Sequence, residues 1–237
     1  MKTPQEVARL AQIAMAIEPL PNKEGLTTRF KDKEDTLKLE YFIIAAINSG
    51  NAIRELMWRP EFTPSYNLLV NALTDNLLNR GGYRVNSGQV IMLWPILTTL
   101  RDYRCKNTLD LQDNLIKHFK DVRSVDVYNF QIACEFSKSL WEGHQHHRKV
   151  IFASDTLYEY FEKSPEDYFE TELRKGLPTV FEMYNDLDQE APYTQEMERI
   201  WVKFRDESVF LFPEGHIADY MAIAVFLAMY FDDYKIR

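Results

Sequence analysis

Residues 3–17 read TPQEVARLAQIAMAI, and the first four of them announce the architecture of the chain. Thr3 followed three positions later by Glu6 is a capping box. The hydroxyl can accept from the amide of the third helical residue, and the carboxylate can reach back to the cap. Pro4 sits in the first turn, where its missing N–H costs nothing. Apolar residues then recur at helical spacing, which predicts a helix over Pro4–Ile17.

The same signals recur downstream. Asp35 or Thr36 can cap a helix running to about Trp58, and Thr63-Pro64 opens another that ends at Gly81-Gly82. Ser87 can cap the strongly apolar segment 89–103, in which Pro95 is expected to kink or shorten the helix. Thr108 precedes a helical pattern at 109–120, and Ser124 precedes one at 125–141. Further helices are expected at 147–163, from Ser164-Pro165-Glu166 to a break near Gly176-Leu177-Pro178, from Thr194 to about Phe212, and over 215–234. No stretch alternates apolar and polar residues as a half-buried strand does, and there is no Asn-Gly or Asp-Gly hairpin turn among only 8 glycines. The pattern predicts an all-α protein, one compact bundle of about ten helices forming a single domain over 1–237.

Composition narrows the function classes. With 237 residues, 46% of them hydrophobic, the chain can bury a substantial core. Its 36 acidic and 28 basic residues are spread along the chain and give a formal charge of −8. A general nucleic-acid binder must neutralise many phosphates, so this balance argues against one. Residues 218–230, ADYMAIAVFLAMY, are too short for a membrane span and run into Asp232-Asp233. The start, MKTPQEVARL, lacks a signal-peptide core, so the expectation is a soluble cytoplasmic protein without membrane partners.

Residues 21–42, PNKEGLTTRFKDKEDTLKLEYF, hold the densest chemistry. Lys23, Gly25, Arg29, Asp32 and Asp35 fall within thirteen residues ahead of a helix. A glycine lets backbone approach an anion, Lys and Arg neutralise it, and carboxylates supply hard oxygen ligands for Mg²⁺. The plainer alternative is a solvated loop leading into a charged helix start. A second candidate is residues 80–88, RGGYRVNSG, where Arg80, Arg84 and three glycines precede an apolar helix. Such a turn can hold an anion on free N–H groups, or it can be a glycine C-cap followed by a Ser N-cap.

Both segments resemble the triphosphoribosyl-dephospho-CoA synthase family, in its archaeal-type form. There P-K-P-G leads into R-x-x-D-x-x-D-T and a helix. Lys23, Gly25, Arg29, Asp32, Asp35 and Thr36 match, while Glu24 replaces a proline. Asn86 and Gly88 match the family's Asn-containing turn, but Ser87 stands where bacterial members have lysine. Residues 124–136, 154–157 and 168–178 resemble later family helices, so the likeness spreads over roughly 20–215 at low identity. The largest departure is 138–148, KSLWEGHQHHR, in place of a glycine-rich turn.

The resemblance implies a transferase that moves the triphosphoribosyl unit of ATP onto the ribose of dephospho-CoA and releases adenine, in prosthetic group biosynthesis. It implies that Lys23 and Arg29 contact phosphates, and that Asp32 and Asp35 bind Mg²⁺ or act as base. Arg84, Asn86, Ser87 and Gly88 would complete the nucleotide pocket together with Gly25. The alternative is a non-catalytic relative, a helical nucleotide- or CoA-binding or interaction module. A third reading is a divalent-metal protein built on His144, His146 and His147. Of the two cysteines, Cys134 reads as a buried apolar residue. Cys105 lies between Arg104 and Lys106, which would lower its thiol pKa, though no paired His is indicated.

Overall fold

The capping box forms as spelled. In the computed structural model, which describes residues 2–31, 38–78, 85–139, 154–163, 168–208 and 214–236, Thr3 N donates to the Glu6 carboxylate at 2.6 Å and Thr3 Oγ1 accepts from Glu6 N at 3.3 Å. They open α1 (Pro4–Ile17). Among the described residues there are ten further helices and no strand, so the fold is all-α. They are α2 (Leu39–Trp58), α3 (Asn67–Leu78), α4 (Ser87–Tyr103), α5 (Thr108–Asp121), α6 (Ser124–Ser139), α7 (Leu157–Lys163), α8 (Tyr168–Arg174), α9 (Pro178–Asp186), α10 (Tyr193–Ser208) and α11 (Glu214–Phe231).

Several starts differ from the sequence expectation. The N-cap of α2 is Lys38, which makes no side-chain cap bond, so the helix begins beyond Asp35 and Thr36. Ser87 is the first residue of α4 rather than its cap. Asn86 takes the cap position in a left-handed conformation (φ 62°), which a short amide side chain tolerates better than most. In α5 the cap is Asn107, whose Oδ1 accepts from Asp110 N at 2.8 Å. Pro95 does not break α4, which runs through it; Thr98 and Thr99 donate their hydroxyls to the carbonyls of Trp94 and Pro95. Packing on every side holds this helix, because it is buried continuously from Gly88 to Asp102.

Two helix ends are capped from elsewhere. Asp126 of α6 accepts from Ser65 N and Tyr66 N at 2.9 and 2.8 Å, ahead of α3. Glu172 of α8 accepts from Thr179 N, Thr179 Oγ1 and Val180 N at 2.6, 3.0 and 3.2 Å, which caps α9 although its N-cap Leu177 has no suitable side chain. Free N–H groups at a helix start need such acceptors once buried.

The core is organised around α4 and α11. α4 packs against α2, α3, α5, α6, α8 and α11, while α11 also meets α1, α9 and α10. α11 is apolar all round and buried at nearly every position from Ile217 to Met229. α1 lies along α2, and Gly50 permits the contact: a Cβ there would fall 2.0 Å from Gln12 Nε2, which donates to Ile47 O. No helix among the described residues is long and apolar enough to cross a membrane.

Candidate functional site

The loop after α1 turns back into the protein. Lys23 is almost wholly buried (1% exposed), and its ammonium is ion-paired with the Glu18 carboxylate and also bonds the Glu18 carbonyl. A buried ammonium requires a countercharge, and Glu18 supplies it. The sequence reading gives Lys23 a phosphate contact; in the fold its ammonium is buried and partnered by Glu18. Gly25 adopts φ +84°, and a Cβ there would meet Glu214 Oε2 at 2.6 Å. The anion its backbone approaches is thus a carboxylate at the first residue of α11. Arg29 does remain exposed, with its guanidinium 4.5 Å from the centroid of the Phe30 ring.

The start of α4 joins this loop through α11. Asn86 is buried, and its Nδ2 donates to Phe42 O at 3.0 Å, which ties the turn to the first residues of α2. Ser87 and Gly88 form the first turn, and Gln89 next to them is 1% exposed. Gln89 hydrogen-bonds the side chain of Asp219, half-buried on α11, and Asp219 also feels the charges of Glu18 and Lys23. Both sequence motifs, the loop of Lys23 and the turn of Asn86, accordingly converge on Asp219.

Burial pushes the Asp219 carboxyl well above the usual carboxylate range; the negative charge of Glu18 adds to this, while Gln89 and Lys23 oppose it. Asp219 thus shares the single ammonium of Lys23 with Glu18. Tyr193 borders the same cluster. Its hydroxyl donates to Ile17 O at 3.0 Å, and its phenol is raised well above its ordinary value by burial, with Glu18 and Tyr234 adding. A carboxyl of raised proton affinity beside the starts of two long helices is equipped for acid–base work on a bound group.

Asp219 was not singled out by sequence reasoning, though a signal existed. It is the one carboxylate in residues 215–231, GHIADYMAIAVFLAMYF, a run apolar enough to be buried on all sides. Other expectations fall on residues outside the described set: Asp32, Asp35, Arg80, Arg84 and the histidines His144, His146 and His147. Among the described residues no group of three or more His, Cys, Asp or Glu is arranged to hold a metal ion. The Cys105 expectation is reversed. Burial, with Asp110 nearby, pushes its thiol up to about 11, while Arg104 turns away to pair with Glu61 at 2.5 Å.

A second buried polar network links Tyr66, just ahead of α3, with α4 and α5. His118 Nε2 lies 3.0 Å from Tyr66 Oη and 3.1 Å from Thr98 Oγ1, while its Nδ1 is 3.9 Å from Asp102 Oδ2. Asp102 is paired with Arg101 at 2.6 Å and accepts from Phe62 N at 3.0 Å. Burial pushes His118 down to about 4, against the opposing pull of Asp102, so the ring is neutral near pH 7.

Comparison of this chain with protein-family models, with curated proteins and with solved structures finds no match.

Proposed function

We propose that this protein is a nucleotide-dependent transferase of the triphosphoribosyl-dephospho-CoA synthase type. It would move the triphosphoribosyl unit of ATP onto a hydroxyl of a dephospho-CoA-like acceptor, with adenine as leaving group. The observation that carries the reading is the convergence of two resembling segments on Asp219, a carboxyl whose surroundings raise its affinity for a proton. Substitution at a ribose anomeric carbon needs a group that removes the proton of the attacking hydroxyl. A carboxylate of raised pKa is a better base for that step than an ordinary solvated one. In this reading Asp219 acts in its ionised form: the attacking oxygen bonds the anomeric carbon as the carbon–nitrogen bond to adenine breaks, the hydroxyl proton passes to Asp219, and from there to the released adenine nitrogen, which restores the carboxylate.

Exposed Arg29 and Lys31 are described cations of this loop that can meet phosphate oxygens. Mg²⁺ enters the reading through Asp32 and Asp35, outside the described residues, and the described carboxylates do not form a metal set. The chemistry assigned here is therefore that of the protein's own side chains. The experiment is chromatographic detection of adenine released from ATP and Mg²⁺, with and without dephospho-CoA, in wild type and Asp219→Asn. Acceptor-dependent adenine from wild type and at least a hundredfold loss in Asp219→Asn is the expected result. No adenine from wild type, with ATP bound, rejects it.

One observation favours a second reading. Lys23 is paired with Glu18, and Ser87 stands where bacterial relatives of the resembled family carry lysine, so the described residues of the site offer fewer cations than a triphosphate calls for. A nucleotide- or CoA-binding module without turnover fits that poverty, and would bind ATP without releasing adenine.

A further inference from the structure

The hydrogen-bonding of the first turn of α4 defines which part of a ligand it can take. Asn86 and Gln89 occupy the cap and third helical positions, where a capping box would normally sit, yet Asn86 makes no cap bond. Each amide spends its N–H side inside the fold, Asn86 on Phe42 O and Gln89 on Asp219. Each is left with a buried carbonyl oxygen, Asn86 Oδ1 and Gln89 Oε1, that has no partner among the described residues. The two residues are 4% and 1% exposed. Buried acceptors of this kind are rare and call for a donor.

The surrounding charges restrict that donor. A phosphate brings chiefly acceptors and would face two carbonyl oxygens, one of them on Gln89 against Asp219, a carboxyl that also feels Glu18. An ammonium would face Lys23, already seated in the same cluster. What remains is a neutral donor, and two acceptors within one helical turn suit a pair of hydroxyls. We infer that the Asn86–Gln89 turn of α4 binds the vicinal hydroxyls of a nucleoside sugar, with Asn86 Oδ1 and Gln89 Oε1 as acceptors, and does not bind the phosphates. The inference rests on the nucleotide-dependent reading and reverses the anion-pocket role expected for this turn from sequence. Phosphate recognition falls instead to the side of Arg29.

Calorimetric titration with adenosine, 2′,3′-dideoxyadenosine and inorganic triphosphate tests it. Adenosine should bind at least tenfold more tightly than the dideoxy analogue, since two hydrogen bonds are lost with the hydroxyls. That preference should vanish in Gln89→Met and in Asn86→Gly, while triphosphate binding is unchanged in both. Asn86→Gly serves where Gln89→Met fails to fold, because glycine accepts the left-handed backbone at that position. Equal binding of the two nucleosides, or no adenosine binding, overturns the inference. So does triphosphate binding lost in both variants, which would mean the amides present their N–H edges. Adenine release is scored separately: diol-dependent binding without release removes the transferase and leaves this site standing.

Discussion

His118 should make the protein acid-sensitive in a window set by its burial. Its ordinary value of 6.5 is pushed down to about 4 in the fold. Above pH 6.5 the ring is neutral in both states and has no effect. As pH falls through 6.5 the unfolded chain takes up a proton that the folded one refuses until about 4, so stability falls across that interval. The full gap corresponds to about 3 kcal/mol, and by pH 5 about 2 kcal/mol of it is lost. The groups facing the ring are Tyr66, Thr98, Asp102, Arg101 and Asp121, of which the two aspartates soften the effect. Buried Asp126 and Glu172 and half-buried Asp219, whose carboxyls are raised, act in the opposite direction as pH falls, so the difference between variants is the informative quantity. Urea unfolding at pH 7.5 and pH 5.0 should show His118→Gln destabilised at the higher pH but losing about 2 kcal/mol less than wild type between the two. An identical pH slope in wild type and His118→Gln would refute the account of a buried neutral ring.

Two further substitutions test the packing. Gly50→Ala should cost about 1–3 kcal/mol by driving its Cβ into Gln12, and adding Gln12→Ala should recover most of it in a double-mutant cycle by chemical denaturation; additive losses would contradict the contact. Glu172→Ala should cost about 1–3 kcal/mol by leaving the first amides of α9 without their acceptor, and a change under about 0.5 kcal/mol would mean those amides find another.

Much of the fold was legible because its signals are local. Thr3, Pro4 and Glu6 carry a complete helix start, and the apolar period of 89–103 identifies α4. Errors occurred where local signals compete. Ser87 looked like a better cap than Asn86, but Asn86 can take φ 62° and reach Phe42, a partner 44 residues away. Asn107 prevailed over Thr108 for a similar reason, since one residue's shift decides which side chain faces the open amides. Pro95 was expected to kink or shorten α4, and the helix is not shortened, because tertiary packing on all sides outweighs the lost bond.

The site was less legible than the fold. Lys23 and Gly25 were recognisable as unusual, but their partners, Glu18 across a turn and Glu214 on the last described helix, are fixed only by how the loop folds back. Asp219 was hidden because a lone acid within an apolar helix gives no spacing pattern. Its meaning comes from Gln89 and Glu18, far away in sequence.

The position of α11 bears on how the protein is made in the cell. This helix follows every partner it packs on, and it supplies both the middle of the core and Asp219. Until it leaves the ribosome, the apolar flank of α4 that it covers stays wet, and Lys23 and Glu18 lack the helix that encloses them. Helices α1 to α10 can form locally on the growing chain, but they cannot close. The nascent chain therefore keeps apolar surface exposed until α11 emerges and covers it, and scaffold and site then close together.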